Sequence, residues 1–217
     1  MTSSKLHPPD DGFIYSVGTN FNEARAGTYY TEYITDSAGH LSTFVEWSSP
    51  YYICAEALMR FDTSSIGDDE VSAVTLHLRP HSSTPTDGSP VSLDVYASNF
   101  GAGLSEADWV AGSSFSGMTK VASVSAAVFS GISHVALTSE AAFKTAINGA
   151  GYTDLVFILP IIATGTPAPT GLDGIAFVAG DVGIPAEYLP YLIIEHSAAP
   201  SGLSIPVAMH HYRTLRR

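Results

Sequence analysis

The sequence predicts an all-β protein, an antiparallel β-sandwich with one or two short helices. Its 217 residues suit one large domain, because a single core stops growing near about 250 residues. Segments rich in β-branched and aromatic residues, each about five to eight residues long, recur between Gly, Pro, Ser, Asp and Thr. Helical periodicity is rare, and the shares of 45% hydrophobic and 14% charged residues exclude a disordered chain.

The clearest predicted strand is Val71 to Arg79. Val74, Leu76 and Leu78 alternate there with more polar residues, which is typical of a strand with one face on a core. The other predicted strands are Phe13 to Val17, Thr28 to Ile34, Phe44 to Trp47, Val91 to Tyr96, Lys120 to Ser125, Ser133 to Leu137, Leu155 to Ile162 with Pro160 as a bulge or edge position, Gly174 to Ala179, and Tyr191 to His196.

Two segments favour helix. Thr138 can cap a helix over Ser139 to Ile147, with Gly149 placed for a left-handed exit. Ser105 to Trp109 offers a Ser cap over a single turn. We therefore expect at most two short helices that cross between strands.

The domain organisation is predicted as an N-terminal arm over residues 1–10, a sandwich over 11–196, and a linker with a basic C-terminal arm over 197–217. Residues 203–217 hold three of the nine basic residues and none of the 21 acidic ones, which leaves six basic and 21 acidic residues, a net charge of −15, before them. This polarity favours docking of the tail on an acidic neighbour, for example a second copy of the chain.

Composition and motifs argue against most catalytic classes. The net charge of −12 disfavours nucleic-acid binding, and neither a signal peptide nor an apolar stretch of about 18 residues is present, so no membrane partner is expected. Cys54 lies in an apolar context, and no nucleophile elbow, nucleotide-binding loop or zinc-ligand spacing occurs among the eight histidines. We predict a protein that is not an enzyme and has no cofactor and no metal among its site residues.

Carboxylate clusters leave two minor alternatives. Asp10 with Asp11, and Asp68 to Glu70, could serve a glycosidase, but both clusters lie in turn-like sequence where acidic residues are common. Calcium at Asp68 to Glu70, or near Asp173 and Asp181, suits the oxygen ligands, although no EF-hand spacing supports it.

Aromatic residues suggest a glycan-binding platform. Flat rings stack on the apolar faces of sugars, and an aromatic cluster spans residues 29–52. Trp47, Tyr51 and Tyr52 are the candidate glycan-binding residues because they flank the turn at Ser48 to Pro50. Aromatic residues of a sandwich also serve as core or interface, and that alternative stays open at this point.

The segment Leu58 to Ile66 (LMRFDTSSI), followed by Val71 to Leu78 (VSAVTLHL), resembles the signature of the DNRLRE-type jelly-roll domains, which are related to carbohydrate-binding modules. Asp11 to Ser16, Ala24 to Gly27 and Leu189 to Glu195 add to the likeness. The resemblance spans about residues 11 to 196 and implies a jelly-roll sandwich. Such domains occur in phage virion proteins and in secreted, wall-associated proteins, so the fold alone does not settle an activity.

The resemblance, together with arms at both ends, favours a non-catalytic phage virion protein, such as a decoration, head or tail accessory subunit. Its expected partners are other virion proteins and further copies of itself, and its expected location is the virion after synthesis in the host cytoplasm. The alternative is a carbohydrate-binding or adhesive module that recognises surface glycans. The predicted partner-binding residues of the C-terminal arm are Ile205, Val207, Met209, Tyr212, Arg213, Leu215, Arg216 and Arg217.

Overall fold

A computed structural model describes residues 1–34, 39–84, 92–129, 131–180 and 184–198. These residues form fourteen strands: β1 (Thr2–Leu6), β2 (Asp10–Gly18), β3 (Tyr30–Ile34), β4 (His40–Ser48), β5 (Tyr51–Asp62), β6 (Glu70–Leu78), β7 (Pro80–Thr84), β8 (Ser92–Ser98), β9 (Lys120–Ser125), β10 (Val135–Ala136), β11 (Thr138–Ser139), β12 (Tyr152–Ile158), β13 (Leu172–Val178) and β14 (Tyr191–Ser197). The helices are α1 (Phe21–Ala26), α2 (Phe143–Ala146) and α3 (Pro160–Thr164), with 3-10 turns at Ser64–Ile66, Glu106–Asp108 and Gly112–Gly117.

All strand pairs are antiparallel, and the strands form two sheets. The smaller sheet has the order β1-β14-β6-β10, and the larger one runs β11-β9-β8-β12-β5-β4-β13-β7, with β2 beside β5 and β3 beside β2. The predicted fold class, an all-β antiparallel sandwich with few short helices, is therefore confirmed. The sequence pattern identified it because most strands bury one face and expose the other.

The larger sheet divides at β5. One side of β5 pairs with β2 along almost its whole length. On the other side, β4 pairs as far as Phe44 opposite Ala55, and β12 pairs from Phe157 opposite Ala57 onward. The two branches diverge at Glu56, so β12-β8-β9 and β4-β13-β7 become opposite layers that enclose a core.

Aromatic side chains fill the space between these layers. Phe177 of β13 contacts Phe157 of β12, with ring centroids 5.2 Å apart, and meets Phe129 edge-on at 6.4 Å. Leu76 and Ile194 join this core from the smaller sheet, and all five side chains are buried. Burying each of these side chains stabilises the fold by about 1.5–3 kcal/mol.

Short helical segments cover the face of β5 from which Tyr52 packs near Phe21 of α1, and we call it the covered face. Asn20 caps the start of α1, and Gly27 ends it in the left-handed conformation with a φ of 67°. Arg25 of α1 then donates hydrogen bonds to the carbonyl oxygens of Ile162 and Ala163 in α3, at 2.6 and 2.7 Å. These bonds tie α1 to α3, and both helices also contact the turn Gly112–Gly117.

The segment Leu58 to Ile66 forms the end of β5 and the turn after it. Arg60 makes a buried, bidentate ion pair with Asp154 of β12, in which its Nε and Nη2 atoms lie 2.8 and 3.1 Å from the two carboxylate oxygens. Arg60 also donates a hydrogen bond to the Gly101 carbonyl oxygen. Asp62 accepts hydrogen bonds from the backbone and hydroxyl of Ser64, which starts the 3-10 turn. The charged and small residues of this segment thus have structural roles, joining two strands and closing one turn.

Several local expectations need correction. Residues 1–10, predicted as an arm, contribute β1, which pairs with β14 at the edge of the smaller sheet. The helix predicted over Ser139 to Ile147 shrinks to α2, because Thr138 and Ser139 pair with β9 instead of capping a helix. The strand predicted to Ile162 ends at Ile158, and Pro160 begins α3, where its missing N–H costs nothing. Helix α1 was not predicted, and Ser105 does cap a single turn as expected.

Candidate binding surface

The main candidate surface lies on five neighbouring strands, and we call it the five-strand face. Residues opposite one another in antiparallel strands point to the same side of a sheet. One row crosses β3, β2, β5, β4 and β13 in that order, and the next row runs parallel to it. The five-strand face comprises Tyr30, Val17, Ile53, Glu46 and Leu172 in the first row and Glu32, Tyr15, Ala55, Phe44 and Gly174 in the second.

Most side chains of this face are apolar or aromatic and remain accessible to solvent. Tyr30 is 46% exposed and Leu172 38% exposed, whereas Val17, Ile53 and Phe44 are half-buried. A surface on which accessible apolar side chains adjoin one another across several strands is typical of a contact site for another molecule.

One end of the face carries a hydrogen-bonded tyrosine pair. The hydroxyls of Tyr15 and Tyr30 both donate to the same carboxylate oxygen of Glu32, the latter at 2.6 Å. The bond from Tyr15, followed by that from Tyr30, lowers the pKa of Glu32, and the bond to Glu32 raises the pKa of Tyr15. The two rings lie 6.0 Å apart at an angle of 49°, so the carboxylate fixes two aromatic rings at the edge of the face.

The other end of the face contains a surface groove of about 270 Å³ between β4 and β13. Its lining combines apolar side chains with one carboxylate. The groove is lined by Ser42, Thr43, Phe44, Glu46, Leu172, Gly174, Ile175 and Ala176. Gly174 leaves room there, since a Cβ at this position would lie 3.0 Å from the Cβ of Phe44.

The predicted glycan platform does not form a single surface. Trp47 and Tyr51 are 43% and 42% exposed, as their place beside a turn suggested. However, Trp47 lies opposite Tyr52, whereas Tyr51 lies opposite Ser48 and therefore points to the other side of the sheet. The Tyr52 ring packs near Phe21 of α1, with ring centroids 6.0 Å apart. Tyr51 alone of the three shares the side of the five-strand face.

Sequence reasoning missed Tyr15, Glu32, Phe44 and Leu172 as surface residues. The alternation in β2 indicated that Tyr15 and Val17 share a side, but β2 was not considered as part of a binding surface. Long-range pairing decides which strands lie side by side. The rows that define the face could therefore not be predicted from local sequence patterns.

The predicted C-terminal arm lies outside the described residues, and so do all eight of its predicted partner-binding residues. The strand that leads to it, β14, ends in acidic surroundings. Ser197 lies opposite Glu70, and the Nδ1 atom of His196 lies 2.6 Å from an Asp69 carboxylate oxygen. Ser4 of β1 approaches the other ring nitrogen of His196 at 2.9 Å.

The covered face of β5 contains the most buried ionisable groups. Glu56 is fully buried, and one of its oxygens accepts the Val110 backbone N–H at 3.1 Å while the other lacks a hydrogen-bond partner within the described residues. Burial raises the pKa of Glu56 well above its usual range and also raises that of the Cys54 thiol. A thiol held in its neutral form is a poor nucleophile.

A search of the described ranges finds no group of three or more His, Cys, Asp or Glu residues that could hold a metal ion. No helix in that part of the chain has the length and apolar character needed to cross a membrane.

No protein-family model matches the chain, and no curated protein matches it either. The likeness to DNRLRE-type domains therefore stays a prediction based on the residues of the segment Leu58 to Ile66 and the strands around it.

Proposed function

We propose that this chain is a non-catalytic structural subunit of a phage particle, of the decoration, head or tail accessory kind, that docks on neighbouring subunits. The five-strand face carries the proposal. It presents Val17, Ile53, Phe44 and Leu172 to solvent on a rigid sheet, and burial of such side chains drives protein association. The sandwich supplies this surface without a catalytic centre being required.

The charge distribution supports a second contact through the C-terminal arm. The arm carries Arg213, Arg216 and Arg217 without any acidic residue, whereas the residues before it carry a net charge of −15. Opposite charges on body and tail favour contact between the tail of one copy and the body of the next. Apolar arm residues such as Ile205 and Val207 would add contact area in a neighbour's groove.

Particle assembly can be tested by the oligomeric state of the full chain, measured by native mass spectrometry and sedimentation velocity. The double variant Ile53→Glu/Leu172→Glu places charges on the five-strand face and is expected to dissociate the oligomer. Ile132→Glu is the control, because Ile132 is 81% exposed between β9 and β10 and is not one of the residues of this face. A monomeric unmutated chain at micromolar concentration, or an oligomer indifferent to the double variant, contradicts docking through this face.

The arm contact has its own test. Replacing Arg213, Arg216 and Arg217 with Gln is expected to weaken the oligomer at low salt and to reduce its salt dependence, because screening acts on the same charges. An oligomer with unchanged salt dependence contradicts a role for the arm charges.

A carbohydrate-binding function is the second candidate, and the tyrosine pair favours it. Tyr15 and Tyr30 are held by Glu32 at the edge of an open face, and Tyr51 points to the same side. Fixed aromatic rings next to a carboxylate are suitable for stacking on a sugar and for hydrogen bonding to its hydroxyls.

Retention on a glycan array tests this candidate. Tyr30→Ala and Tyr51→Ala are expected to abolish retention, and Trp47→Ala, on the other side of the sheet, is expected to preserve it. Loss of retention in Trp47→Ala, with retention preserved in the two tyrosine variants, would instead place the sugar site on the side of Trp47 and Tyr52. No retention of the unmutated protein by any glycan would count against carbohydrate binding as a whole.

A further inference from the structure

A second surface, on the outer side of the smaller sheet, collects basic side chains around one tyrosine. We call it the basic tyrosine cluster, and it consists of Lys5, His7, His77, His134 and Tyr191. Tyr191 of β14 lies opposite His77 of β6, while the neighbouring pair Leu192 and Leu76 is buried in the core. Tyr191 and His77 therefore point away from the core.

The contacts within the basic tyrosine cluster are close. The His77 ring stacks on the Tyr191 ring with centroids 4.5 Å apart and planes 13° apart. The rings of His134 and His7 lie 5.0 and 5.9 Å from Tyr191, and the Lys5 Nζ atom lies 3.9 Å from its ring centroid. All three histidine side chains are half-buried, so the basic groups are held in place by the sheet.

Lys5 and Arg79 supply positive charge at this surface, within a body of strongly negative net charge. Arg79, two residues after His77, lies over the Tyr188 ring, with its Cζ atom 3.5 Å from the centroid. The nearest acidic residues along the chain are Asp10, three residues after His7, and Glu187 and Glu195, each four residues from Tyr191. Burial, and then the positive charges of His134 and Lys5, lower the pKa of His77.

In two of the histidines, one ring nitrogen donates a hydrogen bond to a backbone carbonyl oxygen. His7 donates from Nδ1 to the Pro190 oxygen at 2.8 Å, and His134 donates from Nε2 to the Leu189 oxygen at 2.9 Å. In a neutral ring the other nitrogen is then an acceptor, which repels an anion. Protonation converts that nitrogen into a donor and adds a positive charge, so anion binding and proton uptake are coupled.

We propose that the basic tyrosine cluster binds an oxyanion, the carboxylate or phosphate group of an acidic glycan or of a free small anion, with uptake of protons by its histidines. The span from His7 across Tyr191 to His77 is two strand spacings, roughly 10 Å, which fits one or two anionic groups. A standard protein interface involves about 20–30 residues on each partner, whereas this cluster consists of five. This site is separate from the five-strand face and does not depend on the assembly role.

The direct test follows the histidine ring resonances of the full chain by NMR during titration. The probes are a galacturonic acid oligosaccharide, a neutral glucose oligosaccharide and inorganic phosphate, each at about pH 5.5 and 7.5, on either side of the ordinary histidine pKa. We expect the acidic probes to shift the resonances of His7, His77 and His134. Their affinity should rise about tenfold for each unit by which the pH falls, for every proton taken up on binding. Tighter binding of the acidic oligosaccharide than of phosphate identifies a glycan as the source of the anion, and the opposite order identifies a small anion.

Variants separate binding from folding. Lys5→Gln is expected to weaken acidic-probe binding about fivefold, and Lys144→Gln, a lysine distant in sequence on α2, is expected to leave it unchanged. The double variant His7→Gln/His134→Gln is expected to remove most of the pH dependence. The proposal is overturned if the neutral oligosaccharide binds as well as the acidic one, if affinity is equal at the two pH values, or if no probe shifts these resonances in the unmutated chain.

Discussion

Replacing Glu56 with Gln should change how the stability of this protein depends on pH. Glu56 is fully buried on the covered face of β5, and within the described residues only one of its carboxyl oxygens has a hydrogen-bond partner, the Val110 N–H. Burial raises the pKa of Glu56 in the folded state. In the unfolded chain Glu56 is exposed to water and has an ordinary pKa of about 4.3. Glutamine matches the shape of the protonated carboxyl and can still accept the Val110 hydrogen bond.

The sign follows from proton binding. Between the unfolded and folded pKa values of Glu56, the folded state holds a proton that the unfolded state has lost, so the free energy of unfolding falls as pH rises. The slope reaches at most about 1.4 kcal/mol per pH unit for this one group. Below about pH 4, where both states are protonated, the unmutated protein and Glu56→Gln should differ little. As pH rises from there to 8, Glu56→Gln should become increasingly the more stable protein.

Urea denaturation followed by circular dichroism at several pH values measures this difference. Taking the difference between the free energies of unfolding of the two proteins at each pH removes the contribution of the other titrating groups. Glu106→Gln, an exposed control in the nearby turn Glu106–Asp108, should show no growing difference. A difference between the unmutated protein and Glu56→Gln that stays constant with pH, or that shrinks as pH rises, would refute the assignment of Glu56 as a buried, protonated carboxyl.

Three further predictions concern the covered face and the core. Asp154→Ala leaves the buried Arg60 guanidinium without its counter-ion and should lower the free energy of unfolding by about 3–5 kcal/mol in urea titrations, and a loss below about 1 kcal/mol would contradict the buried pair. Cys54, buried with a raised pKa, should react with a thiol reagent only after unfolding, and rapid reaction of the native protein would show that its environment is open. Gly112→Ala places a Cβ 2.3 Å from the Ile162 carbonyl oxygen and should destabilise the fold by about 1–3 kcal/mol, whereas Gly117→Ala meets nothing within 4 Å and should be neutral, so equal melting temperatures of the two variants would contradict this packing.

Strands with one buried face could be predicted from the sequence because side chains alternate along them. Val74, Leu76 and Leu78 are buried and alternate with half-buried residues, and the predicted strand matches β6 within one residue at each end. Helix α1 has the expected signals, Asn20 before it and Gly27 after it, but six residues are too few to show helical periodicity. The apolar run at Pro160 looked like one long strand because periodicity does not separate a buried strand from a short buried helix.

The candidate surface was harder to predict than the fold. The alternation rule alone separates Tyr51 from Tyr52, since adjacent residues of a strand point to opposite sides. It cannot show that Tyr30 and Leu172, 142 positions apart in the sequence, lie in one row across five strands. The basic tyrosine cluster likewise depends on the pairing of β1 with β14, in a segment that the sequence predicted to be an arm.

Quantitative mass spectrometry of purified particles shows whether the chain is the proposed structural subunit of a phage particle. The sample is a gradient-purified preparation of the phage whose genome encodes this chain, compared with the soluble fraction of the same lysate. We expect the chain to sediment with the particles in a fixed ratio to the other virion proteins. A chain that is confined to the soluble fraction, or a gene that belongs to no phage genome, would contradict it.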